Sequence, residues 1–193
     1  MLHARLEREL TALGVSATWL DYRLFLCRMY GFLAPVERAL AGITGLAGAV
    51  RDAAKRNNKT ALLALDLTSL GVDRSHLAQI PRIAMPLLDE LPEALGWMYV
   101  IEAATQGSET LANRLAPRLT TELEHASAYL RCYGDETGPR WRAFGTALDA
   151  YVARADVGTC DRIVLAATDC LIRLHRWLSA SSPLTIQSRH IHA

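Results

Sequence analysis

Six histidines are the side chains best suited to chemistry in this sequence, and one of them has a partner at a telling distance. His3 and Glu7 are four residues apart, so on a helix they share a face and the carboxylate can accept a hydrogen bond from one ring nitrogen. The other nitrogen is then presented as a neutral ligand of fixed tautomer and orientation, which is what an iron centre needs from an axial ligand. The same spacing also serves a solvated surface pair. His76 after a capping Ser75, His125 beside Glu122 and Glu124, and His175 among Arg173, Arg176 and Trp177 read as surface or boundary packing. His190 and His192 have chelating spacing, but no carboxylate or cysteine lies near them in the terminal stretch, and they read as inert.

A second signal is Gly96 to Ser108, an apolar helical stretch that reaches a run of small residues. Small side chains let a backbone approach a flat ligand closely, and they equally serve tight helix packing. No Ser-His-Asp signature, phosphate-binding glycine loop or metalloprotease motif occurs, which removes the commonest hydrolase and nucleotide-binding readings. Cys27, Cys132, Cys160 and Cys170 are scattered without a Cys-x-x-Cys pair, so they are expected as buried thiols in a reducing compartment.

These residues must be positioned by helices. Apolar residues recur at three and four spacings, as in Leu165, Thr168, Leu171, Leu174 and Leu178, and alternating strand-like runs are absent. The expected fold is all-α. Gly14 ends one helix, Asp21 caps the next, Asn57-Asn58 is a loop and a helix starts near Ser75. Pro92 opens another, residues 134–139 form a turn, and a last helix runs from about Cys160 to Leu178. The 193 residues, 51% hydrophobic, suffice for one domain over 1–180, followed by a loosely held tail over 181–193. With 21 basic against 20 acidic side chains there is no bulk field to attract nucleic acid or an anionic membrane. Lacking an apolar leader or spanning run, the protein is expected to be cytoplasmic.

In the same order along the chain come His3-x-x-Leu6-Glu7, Met29-Tyr30-Gly31-Phe32-x-x-Pro35-x-Glu37 and Leu63-x-x-Asp66-Leu67-x-x-Leu70-Gly71. Tyr133-Gly134-x-x-Thr137-Gly138-x-x-Trp141-Arg142-x-Phe144 and Trp177-Leu178 follow. Together they resemble the bacterial heme oxygenases that accompany bacteriophytochromes. The resemblance implies a compact helical domain with heme held between a proximal helix containing His3 and a kinked distal helix containing Gly107. It implies cleavage of heme with molecular oxygen to biliverdin, carbon monoxide and ferrous iron, with electrons from a separate reductase or ferredoxin. In this frame His3 binds the iron with Glu7 behind it, and Ala103, Ala104, Gly107 and Ser108 form the distal ceiling. Ordered water supplies protons, and Arg142 pairs with a heme propionate.

The chain departs from the family in two places. The family's distal Gly-Ser-Thr-Leu-Gly-Gly is here Ala103-Ala104-Thr105-Gln106-Gly107-Ser108, which keeps only Thr105 and Gly107. Only Met1 and Leu2 precede His3, where the family has two or more helical turns. The departures leave open a related protein that binds heme or another small ligand without opening the ring. A closed interior with no cavity beside His3 and Gly107 would instead favour a purely structural interaction module.

Overall fold

Thr18 and Asp21 begin the first described helix by capping each other. The structure, a computed structural model, describes residues 17–180, so His3, Glu7, Gly14 and the tail 181–193 with His190 and His192 lie outside the described residues. The Thr18 hydroxyl accepts the Asp21 N–H at 3.3 Å, and the Asp21 carboxylate accepts the Thr18 N–H at 2.8 Å. This reciprocal box makes Thr18 the cap of α1 (Trp19–Ala41) and Asp21, expected as the cap, its partner three residues in.

Pro35 sits inside α1 and has no N–H to return to the carbonyl of Gly31. That carbonyl instead accepts the N–H of Ile83 at 3.2 Å, from the non-helical stretch over 81–89. A Cβ on Gly31 would run into the carbonyl oxygen of Pro81, so a side chain here would push the stretch off the helix. Two residues after Pro35, the Glu37 carboxylate accepts the N–H groups of Lys59 at 2.7 Å and Thr60 at 3.1 Å. It thereby satisfies the orphan donors at the start of α4 (Lys59–Ser69) from another helix.

Two short helices, α2 (Leu46–Ala49) and α3 (Ala53–Arg56), carry the chain to Asn57-Asn58 and α4. The next helix, α5 (Arg74–Gln79), is capped by Asp73, whose carboxylate accepts the His76 N–H at 2.9 Å. Ser75, expected as the cap, lies inside the helix and donates its hydroxyl to that carboxylate at 2.7 Å. Two further helices are α6 (Leu91–Leu115), with Pro92 in its first turn, and α7 (Thr120–His125). The expected turn over 134–139 is a single 3₁₀ turn, Gly134–Glu136, that runs directly into α8 (Thr137–Val152). Pro139 is tolerated inside α8 because first-turn N–H groups have no partner within the helix. The last described helix is α9 (Thr159–Ser179).

The most extensive pairing joins α6 to α9, with α1 packed on α4 and α9 and α8 on α6. On α9, Ile163, Ala166, Cys170 and Leu174 are buried, at the spacing of one helical stripe. Opposite them, a Cβ on Gly96 would strike the carbonyl oxygen of Ile163 and lie 2.8 Å from the Ala166 Cβ. The two backbones therefore meet there. The all-α expectation agrees with the helices seen, and no strand occurs among the described residues. Of the four cysteines Cys27 and Cys170 are buried, Cys132 is half-buried and Cys160 is exposed, so burial of all four does not hold. Cys160, second residue of α9, lies off that helix's buried stripe. No helix among the described residues is long and apolar enough to cross a membrane.

Candidate functional site

The middle of α6 faces a cavity of about 460 Å³, within the usual range of small-molecule pockets. Ala103, Ala104, Gly107 and Ser108 all line it, along with Leu111, as residues spaced by three and four along one helix face must. The facing wall is built by Phe25 and Met29 of α1, Tyr129, Trp141 of α8, and Leu174 and Leu178 of α9. Tyr99, one turn before Ala103, packs its ring against Trp141 with centroids 5.4 Å apart at the rim. No lining residue among those described carries a charge. A Cβ on Gly107 would meet nothing within 4 Å, so the helix surface there is open to an occupant.

The expected kink would fall in this stretch, yet α6 is assigned as unbroken α-helix from Leu91 to Leu115. The Thr105 hydroxyl donates to the Ile101 carbonyl at 2.8 Å and the Ser108 hydroxyl to the Ala104 carbonyl at 3.1 Å. Such bonds keep the hydroxyls on their own helix.

Glu102 precedes Ala103 by one residue, about 100° around the helix, and its carboxylate is buried in a polar cluster. It pairs with the Arg56 guanidinium, accepts from Lys59 Nζ at 3.1 Å and accepts the Tyr133 hydroxyl at 2.9 Å. Lys59 Nζ also donates to the Tyr133 oxygen and to the Arg56 carbonyl, both at 2.8 Å. The neighbouring Glu37 brings the cluster to two cations and two carboxylates. Buried charges persist when paired and fully hydrogen-bonded in this way. Burial, with the Glu102 carboxylate alongside, pushes the Tyr133 phenol up, so it remains a neutral donor. The cluster fixes the rotation of α6, and hence which side chains reach the cavity.

The segment carrying Tyr129 is held just as firmly. Both oxygens of the buried Asp66 accept backbone N–H groups, from Ala128 and Tyr129, at 2.8 Å each. Burial pushes the Asp66 carboxyl up and these two bonds pull it back. The Tyr22 hydroxyl donates to the Ala126 carbonyl at 2.6 Å.

The structure thus brings Ala103, Ala104, Gly107 and Ser108 to one cavity. Arg142 is exposed on α8, one residue after the cavity-lining Trp141, and is not itself part of the wall. His3 and Glu7 lie outside the described residues. Met29, Trp141 and Leu178 belong to the motifs of the resemblance without a role there. Phe25 and Tyr129 have no signal in the sequence and Leu174 shows only as part of a helical stripe, because an apolar or aromatic residue looks the same in sequence whether it meets another side chain or a cavity.

Against protein-family models and against curated proteins the chain finds no match. Among solved structures it is similar to the heme oxygenase of Neisseria meningitidis, described in NO- and CO-bound forms. The identity is 20% and the TM-score 0.68, over 97% of this chain and 98% of that one. At that identity the likeness speaks to architecture, and the chain has the heme oxygenase fold.

Proposed function

We propose that this protein is a heme oxygenase, cleaving heme with molecular oxygen and electrons from a separate reductase or ferredoxin to biliverdin, carbon monoxide and ferrous iron, the biliverdin serving a bacteriophytochrome. The observation that carries the reading is the uncharged cavity of about 460 Å³ against the small-residue face of α6, in a chain of heme oxygenase fold. A flat, largely apolar macrocycle suits such walls: Ala103, Ala104 and Gly107 allow close approach, and Phe25, Met29 and Leu174 supply apolar contact. When bound, heme brings the oxygen chemistry itself. The chain's part is to seat and orient it. In this reading His3, backed by Glu7, is the axial ligand and Arg142 pairs with a propionate.

Titration with hemin tests the reading. Purified protein should give a Soret band of a histidine-ligated heme that His3→Ala abolishes, and addition of a reductant in air should convert the spectrum to that of biliverdin. Heme left intact under those conditions overturns the assignment of activity.

A second reading, binding of heme or another tetrapyrrole without ring opening, is favoured by one observation. Ala103 and Ser108 put a Cβ on the cavity wall at two positions where the family has glycine. The pair Ala103→Gly with Ser108→Gly separates the readings. Turnover equal in wild type and double variant supports the oxygenase, whereas turnover only in the double variant supports the binder.

A further inference from the structure

Residues 126–133 are fastened at three points: to α1 through Tyr22, to α4 through Asp66 and to α6 through Tyr133 and Glu102. Tyr129 stands in the middle of this segment, with its own N–H held by Asp66. It is 4% exposed, and it lines both the main cavity and a small apolar recess at its inner end beside Met29, Ala104 and Leu174. Its hydroxyl makes no hydrogen bond to any described residue, in contrast to Tyr22 and Tyr133, whose hydroxyls are both committed. The Ser108 hydroxyl on the opposite wall and its neighbour Thr105 are committed to their own helix. Burial pushes the Tyr129 phenol up, so it is a neutral donor at any ordinary pH.

The Cys132 thiol and the Glu37 carboxylate lie near enough to act on the phenol, yet neither bonds it; polar groups inside a fold almost always find a partner, and the side chain lines the cavity, so an occupant there can supply one. We propose that Tyr129 is a ligand-binding residue whose hydroxyl donates a hydrogen bond to an oxygen acceptor of the bound tetrapyrrole. The inference rests on the heme reading above. It adds to the otherwise apolar inner wall a polar contact that fixes how the macrocycle is turned.

Two tyrosines four residues apart provide the test. Tyr129→Phe and Tyr133→Phe are compared with wild type, first by thermal melting without ligand and then by absorbance titration with hemin and with biliverdin. Tyr133→Phe removes an engaged hydroxyl and should melt lower than wild type. Tyr129→Phe removes one with no protein partner and should melt at the wild-type temperature or above it, while binding tetrapyrrole about 3- to 10-fold more weakly. Weaker hemin binding, with or without weaker biliverdin binding, assigns the acceptor to a carboxylate. Weakening confined to biliverdin assigns it to the terminal lactam oxygens that hemin lacks. Unchanged affinity for both ligands, or a melting temperature lowered as in Tyr133→Phe, overturns the inference alone. Failure of wild type to bind either ligand overturns the heme reading and this inference with it.

Discussion

Gly107 offers a way to obstruct the cavity without disturbing the protein that surrounds it. It is exposed inside α6, on the cavity wall, and a Cβ there would meet nothing within 4 Å. Replacing glycine by leucine within a helix removes a backbone-entropy penalty of roughly 0.5–1 kcal/mol. For a chain of this size that raises the melting temperature of the ligand-free protein by about 2 °C. The isobutyl group then occupies space that the macrocycle needs. Displacing or tilting the ligand costs about 1–3 kcal/mol, by analogy with overpacked cores, and weakens hemin binding by about 5- to 150-fold. Thermal melting and a hemin titration on Gly107→Leu read the two effects separately. The expected pattern is opposite in sign, with a more stable protein and a weaker complex. Wild-type affinity in the leucine variant would refute the placement of heme against this face, and a lowered melting temperature would refute the open space above it.

The remaining expectations concern the joints around the site. Glu102→Ala leaves Arg56 and Lys59 buried without their shared carboxylate, which should destabilise the fold by about 3–5 kcal/mol in denaturant unfolding; an unchanged midpoint would show that the cluster does not hold α6. Gly96→Ala forces a methyl against the α9 backbone at Ile163 and should cost about 1–3 kcal/mol, visible as a lower melting temperature where Gly107→Leu raises it. Asp73 gives a pH signature: the His76 N–H, then the Ser75 hydroxyl, hold its carboxyl at about 2 against an ordinary 3.8. A depressed carboxyl stabilises the fold above the unfolded value and loses that contribution as pH falls through the folded one. The stability gap between wild type and Asp73→Ala should accordingly be constant above about pH 5 and close between 3.8 and about 2; a gap that widens on acidification would contradict the cap.

Helix type and placement were legible because they rest on local signals: stripes at three and four spacings, Pro92 in a first turn, asparagines between α3 and α4. Boundaries that depend on how polar side chains share partners were harder to read. Thr18 and Asp21 bond each other, so either could be named the cap from sequence, and the same ambiguity moved the α5 cap from Ser75 to Asp73. The cavity wall was half legible. Its α6 side is a run of small residues, which is a visible composition, whereas its other side is assembled from α1, the segment at Tyr129, α8 and α9. Only tertiary packing brings those four together.

The motifs that carry the resemblance prove to be joints of the fold, and this bears on what they can say about chemistry. Pro35 frees the Gly31 carbonyl for Ile83, Glu37 caps α4, Asp66 holds the amides of Ala128 and Tyr129, Tyr133 reaches Glu102, and the Trp177 indole N–H donates to the Arg28 carbonyl at 2.8 Å. Each contact links residues distant in sequence, so a chain that keeps these side chains at these spacings is constrained to one helical arrangement whatever it does catalytically. Of residues 103–108, Ala103, Ala104, Gln106, Gly107 and Ser108 line the cavity and make no such long-range joint: Gly107 meets open space, and the hydroxyls of Thr105 and Ser108 turn back onto their own helix. The side chains at these joints hold the helices in place, whereas Ala103, Ala104 and Gly107 line the cavity, where an occupant would feel a change. For that reason the function turns on hemin titrations of variants at 103, 107, 108 and 129 more than on any further likeness of fold.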